Sequence, residues 1–262
     1  MTLTKFTFPS PLLFLMGLAL VGRALVPQDA IAQQIPDDLL DDPHVREEFG
    51  VNDFTTPSIR KIFDDLKGLR PLPYDSLQRE IPTEPSSTRE ELALTLGFLL
   101  ADGFFAVEAE QFLELEPIGR SLLKHAKVLG AGTKISSHTK ALLEHGTTND
   151  WNSLRTELSK TQKDVEKEMV LIRDVDAAHL ISLGGWLRAF EIGCAASLDP
   201  FDPTKAKTLA RPDIMEYFVL SLDTLSPRAK NGETLVKISD SLAEMQQKVN
   251  KPEQETFTEA EV

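Results

Sequence analysis

The sequence predicts an all-α fold, a multi-helix bundle of about eight helices, on three observations. Proline recurs from Pro36 to Pro85, appears at Pro117 and is then absent from Ile118 to Asp199, which leaves the middle of the chain free to be helical. Within that middle, apolar residues return every three or four positions. No segment alternates apolar and polar residues with β-branched enrichment over five or more positions, and no hairpin dipeptide separates two such runs.

Taken in order, residues 1–32 read as a secretory signal peptide. Lys5 supplies a sparse positive start, Leu12 to Val21 is an unbroken apolar run, and Ala30-Ile31-Ala32 offers a small-x-small cleavage site before Gln33. Arg23 interrupts the run well short of the roughly 20 apolar residues of a membrane span. No cysteine follows it to carry a lipid anchor. Residues 33–86 form an N-terminal wrap of short helices and a proline-rich linker. Asp42 and Thr56 are N-cap candidates, each followed by a first-turn proline, Pro43 and Pro57. Gly68 closes the second piece, and one short turn falls near Asp75 to Arg79.

The helical core is expected over residues 87–250. Ser87 and Glu90 have capping-box spacing, so a long helix starts near Thr88 and runs to about Phe112. Ile118, Leu122, Ala126 and Leu129 then make a one-face stripe ending at Gly130. Ile135, Leu142 and Leu143 mark a helix stopped at Gly146. From Trp151 the apolar positions Leu154, Leu158, Val165, Met169 and Ile172 define an amphipathic helix. Val175 to Ala196 is apolar and alanine-rich. Asp199-Pro200-Phe201-Asp202-Pro203 breaks the chain, Pro212 and Pro227 open two further helices, and Leu235, Ile238, Leu242, Met245 and Val249 stripe the last. Residues 251–262 carry acids without apolar period and are expected to be a disordered tail. A faint duplication is one reading of Leu94-Thr95-Leu96-Gly97 and Ile181-Ser182-Leu183-Gly184. The plainer reading is that buried helices reuse the same residue types.

Charge narrows the partners. Without residues 1–32, 26 basic residues stand against 40 acidic ones, a net charge of −14. That balance disfavours nucleic acid and anionic membranes, which both need clustered Lys and Arg. An exported chain with the lone Cys194 makes no internal disulfide, so packing must hold it. Cys194 among Ile192, Ala195 and Ala196 reads as a small buried hydrophobe rather than a nucleophile.

Ionisable residues stand out where the chain is least polar. Asp102 lies within LTLGFLLADGFFAV, Glu108 just beyond it, and Arg188 and Glu191 within LISLGGWLRAFEIG. An unpaired buried carboxylate costs several kcal/mol, so these groups are expected to pair, with Asp102 or Glu108 meeting Arg188. The functional alternative is a polar floor to a ligand pocket walled by Trp186 and neighbouring phenylalanines. Gly97, Gly103, Gly184, Gly185 and Gly193 point to close helix approach, or to a ligand pressed against backbone.

Other matches are weaker. His125, His138 and His145 share apolar helix faces, yet no di-metal, haem or His-Glu-x-x-His spacing accompanies them, so no metal or cofactor is expected. Ser121-x-x-Lys124 and Ser137-x-x-Lys140 lack the companion motifs of penicillin-binding enzymes. Gly130 to Lys134 lacks the full phosphate-loop spacing and reads as an interhelical turn. The charged run from Glu157 to Glu168 reads as a solvated helix face. The sequence thus points to a periplasmic or secreted, non-catalytic binding or scaffolding protein whose partner is a protein or a small apolar ligand. The alternatives are a carrier of an apolar or amphipathic ligand held between the glycine-bearing helices, and a hydrolase.

Overall fold

The computed structural model describes residues 59–252 and 254–262. The expected signal segment and the expected caps at Asp42 and Thr56 lie outside them. The described chain is all-α and contains no strand. Its helices are α1 (Ile59–Leu66), α2 (Tyr74–Leu77), α3 (Arg89–Glu108), α4 (Phe112–Leu129), α5 (Gly132–Thr147), α6 (Trp151–Leu171), α7 (Val175–Leu198), α8 (Pro203–Leu209), α9 (Pro212–Thr224), α10 (Pro227–Lys230) and α11 (Glu233–Val249).

Helices α3 to α7 form a ring: each packs on the next, and α7 returns to α3 in the most extensive contact of the molecule. Both members of that pair are apolar on every side, as a helix surrounded by other helices must be. From Leu92 to Glu108 only Thr95 and Phe98 of α3 are not buried. Helix α6 also touches α3, and α1 packs on α3, α6 and α7. Outside the ring, α8 lies on α7, and α11 lies on α9. Leu235 and Leu242, the start and centre of the α11 stripe, are buried there, so that face is spent inside the chain rather than offered to a second copy.

Local chemistry fixes the helix starts. Thr88 caps α3 by accepting a hydrogen bond from the Glu91 N–H, one residue later than the Ser87–Glu90 spacing suggests. Asp150 and Asp174 cap α6 and α7 through the N–H groups of Ser153 and Ala177. Proline opens α8, α9 and α10.

The helix ends share a device that the sequence conceals. Each connection from α3 to α7 closes with a backbone hydrogen bond spanning five residues. They are Gln111 N to Ala106 O (2.8 Å), Ala131 N to Ala126 O (2.8 Å), Asp150 N to His145 O (3.0 Å) and Asp174 N to Met169 O (2.8 Å). This is the Schellman closure, which needs a left-handed residue. Gly130 supplies it once, at φ 105°, while Glu110, Asn149 and Arg173 supply it at φ 58°, 55° and 57°. The first of these turns ends α3 at Glu108, short of the expected Phe112.

The tail is a second departure. Residues 254–262, expected to be disordered, fold back on the helices. Phe257 is buried, Lys251 sits over its ring at 4.9 Å, and Lys251 Nζ lies 2.7 Å from Glu261 Oε1. Thr258 and Glu261 form a capping box around a 3₁₀ turn at Glu259–Glu261. One aromatic ring to bury and one cation to pair outweigh the acidic composition that predicted disorder.

Candidate functional site

The two LxxG-like motifs meet each other where α3 crosses α7. A methyl group placed on Gly97 would lie 2.0 Å from the Ile181 carbonyl oxygen, and one on Gly184 would lie 2.3 Å from the Leu94 carbonyl oxygen. The contact is reciprocal: the glycine of each motif rests on the backbone of the other motif's first residue. Backbone touches backbone here, so the glycines serve helix approach, and a ligand has no room between them at this point.

One turn further along, the buried charges gather. Asp102 is 5% exposed and Arg188 is 3% exposed. The Arg188 Nε donates to Asp102 Oδ1 at 2.7 Å, its Nη1 to Glu191 Oε2 at 2.6 Å, and its Nη2 to the Leu77 carbonyl at 2.6 Å. Arg79 completes the cluster, donating from Nε (2.8 Å) and Nη2 (2.6 Å) to Asp102 Oδ2 while its guanidinium lies 5.0 Å from the Phe98 ring centre. Burial pushes the Arg188 pKa down, but Asp102 and Glu191 outweigh it and hold the value above the ordinary one. With Arg79 and the Leu77 carbonyl both in the proline-rich connection, the cluster staples that connection onto α3 and α7.

Glu108 does not join it. Six residues beyond Asp102 it has turned about 240° around the helix. There it pairs with Arg70 and Arg155, the latter also from Nη2 at 3.3 Å. An open cleft of about 720 Å³ lies beside this pair, lined by Pro71, Tyr74, Asp75 and Glu110 among others. Burial, with Glu114 and Asp102 nearby, pushes the Tyr74 phenol up to about 12, so it stays a hydrogen-bond donor. Trp186 is likewise displaced from its expected place. Two residues before Arg188, it faces about 200° away. It stacks on Phe190 at 5.1 Å and meets Phe218 of α9 at 5.3 Å, as core rather than pocket wall.

The histidines do not converge. His125 is fully buried, with Nδ1 2.8 Å from the Ser121 carbonyl and Nε2 without a hydrogen-bond partner. Ser121, the serine of one rejected motif, donates its hydroxyl to the Pro82 carbonyl. His138 on α5 sits between two carboxylates of α6: Nδ1 is 2.6 Å from Glu157 Oε1 and Nε2 is 2.8 Å from Asp164 Oδ2. With both carboxylates ionised, both contacts are hydrogen bonds only when both ring nitrogens carry hydrogen. Burial raises the Glu157 pKa, but hydrogen bonds from His138 and Lys160 outweigh it and hold the group below its ordinary value. Part of the charged run expected to face solvent therefore turns inward to clamp α5. Among the described residues no three His, Cys, Asp or Glu side chains are arranged to hold a metal ion. Among them, too, no helix is long and apolar enough to cross a membrane.

A half-open apolar space lies elsewhere. A cavity of about 170 Å³ opens between the C-terminal half of α7, α8, the end of α11 and the folded-back tail. Phe190, Cys194, Leu209, Met245 and Phe257 form its apolar wall, with Lys248 and Glu261 at its polar edge. Burial and the nearby Glu191 push the Cys194 thiol up to about 11, so the sulfur is neutral at pH 7 and alkylates slowly. Of the residues singled out in the sequence for packing or ligand contact, Phe190, Cys194, Met245 and Val249 line this space. Phe257 was missed; the isolated aromatic within the acidic tail was the signal that could have found it.

Comparison with models of protein families, with characterised proteins and with solved structures gives no match to this chain.

Proposed function

We propose that the chain is a non-catalytic binding protein that takes a small apolar or amphipathic ligand in the cavity between α7, α8, α11 and the tail. The observation that carries this reading is the cavity itself. Its volume of about 170 Å³ is close to that of dry apolar cavities known to admit a benzene-sized guest. Its wall is aromatic, aliphatic and sulfur-bearing, with ionisable groups confined to the edge, the usual division of labour in small-molecule sites. Relative to the expectation from sequence, the ligand moves from the glycine crossing to the opposite end of α7.

Native mass spectrometry of the protein purified from its own host, set against the denatured mass, tests the reading. Added mass that is lost on denaturation, and lost also when a bulky side chain fills the cavity (Ala210→Phe), is the expected result. A bare chain that also takes up no apolar compound at millimolar concentration overturns it. Action in the periplasm or outside the cell is part of the proposal and rests on the leader-like residues 1–32. The amino terminus of the protein recovered from its native compartment is expected at Gln33, and an intact Met1 there speaks against export by cleavage.

A further inference from the structure

The polar edge of the cavity says which ligands suit it, provided the binding reading above holds. Glu261 is the acidic group at the mouth, and its charge is already met. Lys251 Nζ lies 2.7 Å from Oε1, and the Thr258 N–H donates to Oε2 at 2.8 Å. Hydrogen bonds from Lys251 and Thr258 hold its pKa down at about 2, so it stays a satisfied anion across the physiological range. Lys248 lines the same mouth from the last turn of α11 and makes no hydrogen bond or ion pair with any described residue. The wall behind it adds no charge, since the Cys194 thiol is neutral. An apolar chamber therefore ends at a cation whose partner is not supplied by the described chain. The space suits a guest of about six carbon atoms, because a cavity near 150 Å³ takes one benzene.

We infer that the ligand is a compact apolar monocarboxylate of about six carbons. Its hydrocarbon part lies among Phe190, Leu209, Met245 and Phe257, and its carboxylate stands at the mouth beside the Lys248 ammonium. The tail closes over it, because Phe257 and Glu261 reach the cavity from the segment that Lys251 ties back.

Calorimetric titration of the full chain with hexanoate, 1-hexanol and hexylamine separates this inference from the reading beneath it. Hexanoate is expected to bind about threefold more tightly than hexanol, the scale of one exposed ion pair, and hexylamine most weakly. Lys248→Glu, a change on an exposed side chain, is expected to invert the order of hexanoate and hexylamine. Occupancy is also expected to slow alkylation of Cys194 several-fold in the unaltered chain. Equal binding of all three compounds, or an order that Lys248→Glu leaves unchanged, overturns the carboxylate class while the cavity reading stands. Hexanoate binding that leaves the Cys194 alkylation rate unchanged overturns the assigned location. Failure of all three compounds to bind overturns both.

Discussion

The two halves of α7 meet opposite kinds of neighbour. From Ile181 to Gly185 its backbone lies against the backbone of α3, with glycine on each side and no space for a side chain. From Phe190 to Cys194 it faces shorter pieces, α8, the end of α11 and the tail, whose side chains meet it closely only at Gly193, and a cavity remains. One helix thus serves as both keel and chamber wall. The difference follows from the partner: a long helix with a matching glycine can approach along its whole crossing, whereas short pieces that arrive from several directions cannot fill every gap.

Disrupting the close-packed half has the largest expected effect. Gly97→Ala places a methyl group on the Ile181 carbonyl, so the helices must part; a loss above about 4 kcal/mol, read from urea midpoints, is expected. Gly68→Ala, where nothing lies within 4 Å, is the control and is expected to change stability by no more than about 1 kcal/mol. The charge staple comes next. Asp102→Ala removes the shared acceptor of Arg188 and Arg79, leaving Arg188 with only Glu191 and the Leu77 carbonyl, and is expected to cost about 3 kcal/mol. Arg188→Ala is expected to cost less, because Arg79 still holds the carboxylate; equal losses would show that Arg79 contributes nothing.

The open half is expected to yield less. Phe257→Ala is expected to cost about 1 to 2 kcal/mol and to speed proteolysis of the tail without lowering the cooperativity of unfolding. A loss as large as that of Gly97→Ala would erase the contrast between the halves. Away from both, Glu157 has a pKa held below the ordinary carboxylate value, so its contribution is present above that ordinary value and is lost as the pH falls through the lowered one. Stability of the Glu157→Gln variant, followed by denaturant midpoint, is expected to vary less with pH across that acid window than stability of the parent. The smallest change expected is a gain: Arg173→Gly relieves a left-handed residue and is expected to stabilise by about 0.5 to 1 kcal/mol.

Much of this was legible in the sequence, and the reasons differ by residue. The all-α class and several helix starts followed from caps and proline, since the Ser87–Glu90 spacing or Pro212 signals its role through local chemistry alone. The pairing of Asp102 with Arg188 followed from the cost of burying either by itself. Three of the four ring turns were hidden, because Glu110, Asn149 and Arg173 adopt a conformation that composition assigns to glycine. Arg79 was hidden for another reason: in a proline-rich connection nothing marks which arginine reaches back to the core. The spacing of Glu157 and Asp164 puts both on one helix face, but only the packing of α5 on α6 names His138 as their partner. The cavity was least legible, as it is the gap left where four elements fail to meet.

The meeting of Gly97 with Ile181 and of Gly184 with Leu94 has a consequence in time as well as in space. Helices α4, α5 and α6 touch their sequence neighbours across turns of a few residues, whereas Arg188 and Asp102 are 86 residues apart. Closing so long a loop carries an entropic cost that local hairpins avoid, and contacts of high sequence separation slow folding. During synthesis α3 emerges well before α7, and the apolar face that α7 covers must wait for it. The wait leaves a sticky helix exposed, and the early hairpins on α4 to α6 are what can shelter it. Substitutions in α7 are therefore expected to slow refolding more than equally destabilising ones in α5, a difference that stopped-flow measurements on Leu183→Ala and Leu142→Ala can read.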